Sequence, residues 1–128
     1  NSNYINFNGR GTDLNQHQSL NGFYIDSNNN AYFSDFGNER VLKWAPGASE
    51  GVVVAGGNGS GSATNQIEWP GPIYVDENLN LYVIDFSNSR ITKWAPGSLE
   101  GDIVVNANGQ GSGLDQFKDP YGSYISGL

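Results

Sequence analysis

The sequence predicts an all-β fold built from four-stranded antiparallel sheets, and three observations predict it. The first is a repeat. Ala31-Tyr32-Phe33-Ser34-Asp35-Phe36-Gly37-Asn38-Glu39-Arg40-Val41-Leu42-Lys43-Trp44-Ala45-Pro46-Gly47 returns fifty positions later as Leu81-Tyr82-Val83-Ile84-Asp85-Phe86-Ser87-Asn88-Ser89-Arg90-Ile91-Thr92-Lys93-Trp94-Ala95-Pro96-Gly97. Tyr24-Ile25-Asp26 returns as Tyr74-Val75-Asp76, and Gln16, Gln66 and Gln116 keep the same beat. The second is that each period holds four short apolar runs, the arithmetic of a β-propeller blade. The third is composition. With 18 glycines and only 15% charged residues, the chain is poor helix material and suits short strands joined by tight turns.

Taken in order, residues 1–21 read as the last strand and loop of a preceding unit, with the strand at Tyr4-Ile5-Asn6-Phe7. Residues 22–70 form a first unit. Its strands fall at Phe23-Tyr24-Ile25, Ala31 to Asp35, Arg40 to Trp44 and Val52-Val53-Val54-Ala55, and a loop runs to Pro70. Between the first two strands, Asp26-Ser27-Asn28-Asn29-Asn30 is a turn, because Asx side chains bond their own backbone and tolerate left-handed conformations. Pro46-Gly47 is the centre of a type II turn. Residues 71–120 repeat this, with strands near 72–76, 81–85, 90–94 and 102–106. Residues 121–128 open a third unit with a strand at Tyr121 to Ile125. Runs such as Val52-Val53-Val54 and Tyr82-Val83-Ile84 do not alternate, so the sheets should be covered on both faces.

Charge narrows the partners. Six Lys and Arg against thirteen Asp and Glu give a formal net charge of −7, which repels phosphate backbones and anionic membranes. No nucleic acid is expected as a partner, and no apolar run reaches the roughly 20 residues of a membrane span. There is no cysteine and hence no disulfide framework. Starting at Asn1 without methionine, the chain is expected to be a processed product or a piece of a longer one.

Candidate sites are few. Asp26, Asn28 and Asn30, with Asp76, Asn78 and Asn80, have the alternating oxygens that open a calcium loop, but the later Glu and the sharp-turn Gly are missing; a hairpin turn is the stronger reading. Asp35 with Arg40, and Asp85 with Arg90, flank a hairpin and can meet as a charge-assisted pair. A group that recurs in each unit reads as structural, since catalysis needs it once. Trp44 and Trp94 close the third strands and pack, or else offer a surface on which a sugar or peptide stacks. The loops Asn58-Gly59-Ser60-Gly61-Ser62 and Asn108-Gly109-Gln110-Gly111-Ser112-Gly113 lack the Gly-Lys-Ser/Thr ending of a phosphate cradle and read as turns stitched by Gln66 and Gln116. Asn58 heads the single Asn-x-Ser sequon and is the candidate glycosylation site. His17, the one histidine, takes an apolar repeat position held later by Ile67 and Phe117 and reads as a packed side chain. No catalytic constellation and no cofactor are expected.

The segment Tyr82-Val83-Ile84-Asp85-Phe86-Ser87-Asn88-Ser89-Arg90 resembles an NHL repeat, in which a strand, an Asp and a turn carrying Asn-His-Arg precede the next strand. Tyr32 to Arg40 is similar through Asp35, Asn38 and Arg40, as is Gly71-Pro72-Ile73-Tyr74-Val75-Asp76 to the opening strand. The resemblance covers nearly the whole chain and implies NHL-type β-propeller blades. Glu39 and Ser89 stand where that family has its His. Some similar propellers are metal-assisted lyases or hydrolases with His and Asp around the channel, and those histidines are missing here.

Two units cannot close a ring of four to eight blades. The expected partners are therefore further NHL-type units or copies of the chain, as a partial propeller or part of a larger assembly. The function expected is a non-enzymatic, extracellular binding or scaffolding segment for protein or glycan. The alternative is a self-assembling structural subunit, forming a ring or filament. Less favoured is a fragment of a metal-dependent enzyme whose ligands lie in other units.

Overall fold

A computed structural model describes residues 5–106 of the chain. Eight strands form two four-stranded antiparallel sheets, each in plain sequence order. The first holds β1 (Ser19–Ile25), β2 (Ala31–Phe36), β3 (Arg40–Trp44) and β4 (Val52–Gly56). The second holds β5 (Pro70–Val75), β6 (Leu81–Asp85), β7 (Arg90–Trp94) and β8 (Asp102–Asn106). The only helical element among the described residues is one 3-10 turn, Phe86–Asn88.

The eight strands expected in the two full units are present, and their registers repeat. Asp35 stands opposite Arg40 and Ala31 opposite Trp44; Asp85 stands opposite Arg90 and Leu81 opposite Trp94. Each third-to-fourth strand pair is offset by an irregularity at the same place, Val41/Leu42 and Ile91/Thr92. The turns follow their side chains. Gly47 and Gly97 take left-handed φ of 79° and 78°, as the second centre position of a type II turn requires.

β1 and β5 begin earlier than their apolar runs, at Ser19 and Pro70. The Asp35 carboxylate accepts hydrogen bonds from the backbone of Gln18 and Ser19, and Asp85 does the same for Glu68. A buried side chain thus draws Ser19 into β1 and ties down the chain just ahead of β5.

The strand expected at Tyr4–Phe7 is a correction: Ile5, Asn6 and Phe7 belong to no strand, and Tyr4 lies outside the described residues. Among the described residues, no strand pairs with them. Ile5 and Phe7 instead pack on Ala31, Leu42 and Trp44, with the Phe7 ring 5.1 Å from Trp44, 5.3 Å from Phe33 and 4.8 Å from His17. The strand at Tyr121 to Ile125, the loop Asn108 to Gly113, Gln116 and Phe117 lie outside the described residues.

The sheets share one core. Tyr32, Val41, Ala55 and Ile67 from the first unit meet Ile73, Val75, Leu81, Val83 and Trp94 from the second. Their first strands close the seam. Gly22 approaches the backbone of Gly71 so nearly that a Cβ there would fall 2.9 Å from the Gly71 carbonyl oxygen. Asn21 Nδ2 donates to Pro70 O at 3.0 Å, and the Tyr24 and Tyr74 rings meet at 5.2 Å. A second cluster of Tyr82, Ile84 and Ile91 lies on β6 and β7 with Val104 and Val105 of β8.

Candidate functional site

The two buried ion pairs are the centres of two copies of one polar node. At the end of β2, Asp35 is fully buried; its Oδ1 accepts from Gln18 N (2.9 Å) and Ser19 N (3.2 Å). Its Oδ2 accepts from Asn38 Nδ2 (2.9 Å) and Arg40 Nε (3.2 Å). Arg40 then turns outward from the pair and donates to the carbonyls of Thr12, Asp13 and Gln16. The second copy repeats it except at one amide: Trp69 N, the counterpart of Ser19 N, donates to Glu39 Oε1 and not to Asp85. Asp85 accepts from Glu68 N, Asn88 Nδ2 and Arg90 Nε, and Arg90 donates to the carbonyls of Ser62, Ala63 and Gln66 at 2.8 to 3.0 Å. The sequence suggested the pair; it did not suggest that the guanidinium also clamps the preceding glycine-rich loop. Gln66 completes that loop, accepting from Ala63 N and donating to Asn58 O and Ser60 O.

The Asp26 and Asp76 carboxylates hold hairpins. Asp26 accepts from Asn28 N, Asn30 N, Asn30 Nδ2 and Tyr32 Oη; Asp76 accepts from Asn78 N, Asn80 N, Asn80 Nδ2 and Tyr82 Oη. Burial pushes both carboxyls up, but these hydrogen bonds outweigh it and leave each below its ordinary value. Burial, with the bond to Asp26, pushes the Tyr32 phenol well above the ordinary range. Asn30 and Asn80 turn their amide N–H groups, not their oxygens, toward the aspartate, the arrangement of an Asx-type turn rather than of a ligand ring.

Trp44 and Trp94 are 1% and 3% exposed, which corrects the reading of them as a stacking surface: almost no ring area is left for a ligand. Each ring lies against a glycine, Gly51 and Gly101. Trp94 Nε1 donates to Thr92 Oγ1 at 3.0 Å, whereas Trp44 has Leu42 at that place and its Nε1 finds no partner among the described residues. At the sequon, Asn58 Nδ2 donates to Asn65 O at 2.8 Å and Ser60 Oγ donates to Glu39 Oε2 at 3.2 Å. Both ends of the glycosylation candidate are thus engaged by their own loop and its neighbour.

The site that sequence reasoning missed is where the repeat breaks. Trp69 has Ser19 and Asp119 as its counterparts, Glu39 has Ser89, and Ser60 has Gln110. The fold gathers these three odd residues into one contact. Glu39, almost fully buried, accepts from Trp69 N at 3.0 Å through Oε1 and from Ser60 Oγ through Oε2. Trp69 takes a left-handed φ of 56°, rare for a bulky residue. Its backbone is pinned on both sides, since Phe86 N donates back to Trp69 O at 3.3 Å. The indole is 47% exposed and sits between Phe36 (5.8 Å between centroids) and Phe86 (6.2 Å). The signal was in the sequence: of three tryptophans, one does not obey the period.

An aromatic ledge of this kind offers apolar area and π faces but no nucleophile and no acid–base pair. Among the described residues, no three His, Cys, Asp or Glu side chains gather as metal ligands. Comparison with known proteins finds no family model that matches the chain and no curated protein with significant sequence similarity.

Proposed function

We propose that the two sheets are successive NHL-type blades of a β-propeller and that the chain is a non-enzymatic, extracellular binding or scaffolding module for protein or glycan. The observation that carries the binding reading is Trp69: an exposed indole kept in a strained backbone by a buried carboxylate that exists in one copy. Strain of this kind costs about 1–3 kcal/mol and persists where the surroundings over-determine it, typically at sites of function. The blade reading is supported by the sequential strand order, the duplicated polar nodes and the shared core between sheets. The non-catalytic reading is supported by the carboxylates, which are engaged in hairpins and loop clamps that recur with the period. Probing peptide and glycan arrays with the wild-type chain and Trp69→Ala tests the reading. Retention of one ligand class that weakens at least tenfold in the variant is expected; equal retention of both proteins across every spot rejects it.

A second reading is favoured by a different observation. Val52 and Val53 on the edge strand β4, Leu99 (85% exposed) in the turn between β7 and β8, and Ile103 of β8 leave apolar side chains in solvent. Val52, Val53 and Leu99 border a cleft of about 420 Å³ together with Lys43 and Ala45. Such patches mark association surfaces, and copies of the chain stacking sheet to sheet would form a ring or a filament. Light scattering with electron microscopy decides this: a monomer at every concentration excludes self-assembly.

A further inference from the structure

We infer that the Phe36–Trp69–Phe86 ledge binds an arginine-bearing segment of a protein partner, the guanidinium lying flat on the Trp69 indole. This rests on the binding-module reading and names the chemistry of the occupant. Two independent observations point to a cation.

The first is the ledge itself. Three aromatic rings stand in contact at one end of the seam, with centroids 5.8 and 6.2 Å apart, and the central one is half exposed. An indole is the best π face for a cation, and guanidinium both stacks on it and attracts its quadrupole. Nothing in the fold requires a tryptophan there, because the equivalent Ser19 serves the first sheet without a left-handed backbone. A glycine would adopt φ 56° at the least cost, so what the strain preserves is the side chain.

The second is charge. Arg40 and Arg90 are buried against Asp35 and Asp85, so those four groups cancel inside the molecule. The formal charge of −7 is therefore left to the other acids, which outnumber the other Lys and Arg by seven. Next to the indole in sequence stands Glu68, half-buried, whose carboxylate accepts no hydrogen bond from the described residues, while Glu39 places a second carboxylate 3.0 Å from the Trp69 amide nitrogen. A neutral sugar would gain nothing from this field, and a phosphate or acidic peptide would be repelled. A cationic segment is drawn to it and finds, in Glu68, an acceptor for the N–H groups of the guanidinium edge.

The test is calorimetric titration of the full chain with a capped peptide of alternating Arg and Gly. The same peptide with citrulline in place of Arg and a neutral chito-oligosaccharide form the other arms. Binding of the Arg peptide is expected. It should weaken at least tenfold for the citrulline peptide and for Trp69→Ala, several-fold for Glu68→Gln, and little for Trp69→Phe, which keeps a π face. It should also weaken as salt is raised. Circular dichroism of each variant confirms that it is folded, and Glu100→Gln, on an exposed turn, serves as the charge control and should bind as wild type. Undiminished binding by folded Trp69→Ala, or equal binding of the citrulline peptide, overturns the inference. Oligosaccharide binding that depends on Trp69, with no Arg-peptide binding, also overturns it but leaves the binding-module reading standing; no binding in any arm overturns it as well and returns the broader reading to the arrays.

Discussion

Replacing Arg90 with methionine probes the polar node most sharply. The substitution removes a 2.8 Å ion pair with Asp85 and three hydrogen bonds to the carbonyls of Ser62, Ala63 and Gln66. Asp85 is fully buried, so its charge would keep only Glu68 N and Asn88 Nδ2 as donors. Breaking a buried pair from one side costs about 3–5 kcal/mol, and each lost bond to a charged donor about 1.5–3 before relaxation. These overlap, because water can reach the freed loop carbonyls; about 4 kcal/mol is the expected net loss. Against a typical domain stability of about 5–15 kcal/mol that is a large share. With a urea slope of about 1–2 kcal/mol per molar the midpoint should fall by roughly 2–4 M. Amide exchange across residues 61–68 should accelerate along with that of β5 and β6, since the guanidinium ties the loop to the sheet. Arg40→Met should cost a similar amount, the two nodes being copies. Should Arg90→Met fail to fold, Arg90→Lys, which keeps the charge but not the fork, provides a milder measurement. A cost under about 1 kcal/mol, the range of an exposed pair, would refute the reasoning.

Other consequences can be measured alongside. Asp26 and Asp76 have carboxyls held below the ordinary value, so the unfolded chain binds their protons first. The stability they contribute is full above the ordinary aspartate pKa of about 4 and is lost as pH falls through the lower folded value; urea titrations between pH 6 and 2 should show that decline, flattened in Asp26→Asn/Asp76→Asn. His17 holds the place that Ile67 fills in the next unit, and its Nδ1 is buried without a partner among the described residues; His17→Ile should raise stability by about 1 kcal/mol in urea melts. At Trp69, Gly should be more stable than Ala by about 1 kcal/mol, reversing their usual order, because only glycine adopts φ 56° without strain. Gly101→Ala should cost about 1–3 kcal/mol, since its Cβ would lie 2.7 Å from the Trp94 ring.

How much of this was legible in the sequence follows from the repeat. A period of fifty with four apolar runs placed all eight strands, because strand apolarity and Asx and Pro-Gly turns are local signals. The early start of β1 was not legible: Ser19 is polar, and its amide is ordered by an aspartate 16 residues away. The Asp–Arg pairing could be read from its spacing across a hairpin, but the reach of Arg40 to Thr12, 28 residues back, could not. Residues 5–7 misled because a strand pattern is half a statement; without a neighbouring strand the same apolar side chains packed as a plug. The ledge is illegible in a reading of the repeat, because its central residue, Trp69, does not recur. Trp44 and Trp94 recur and are core, whereas Trp69 departs from the period and is exposed.

The two sheets stand on one shared core. Val41 of β3 and Val83 of β6 both belong to it, and both are fully buried. Amide exchange of Val41→Ala, followed strand by strand, tests that sharing directly. Exchange in β6 and β7 should quicken by the same factor as in β2 and β3, roughly ten- to thirtyfold for a loss of about 1.5–2 kcal/mol. Protection of β6 left at its wild-type level while β2 and β3 open would contradict it.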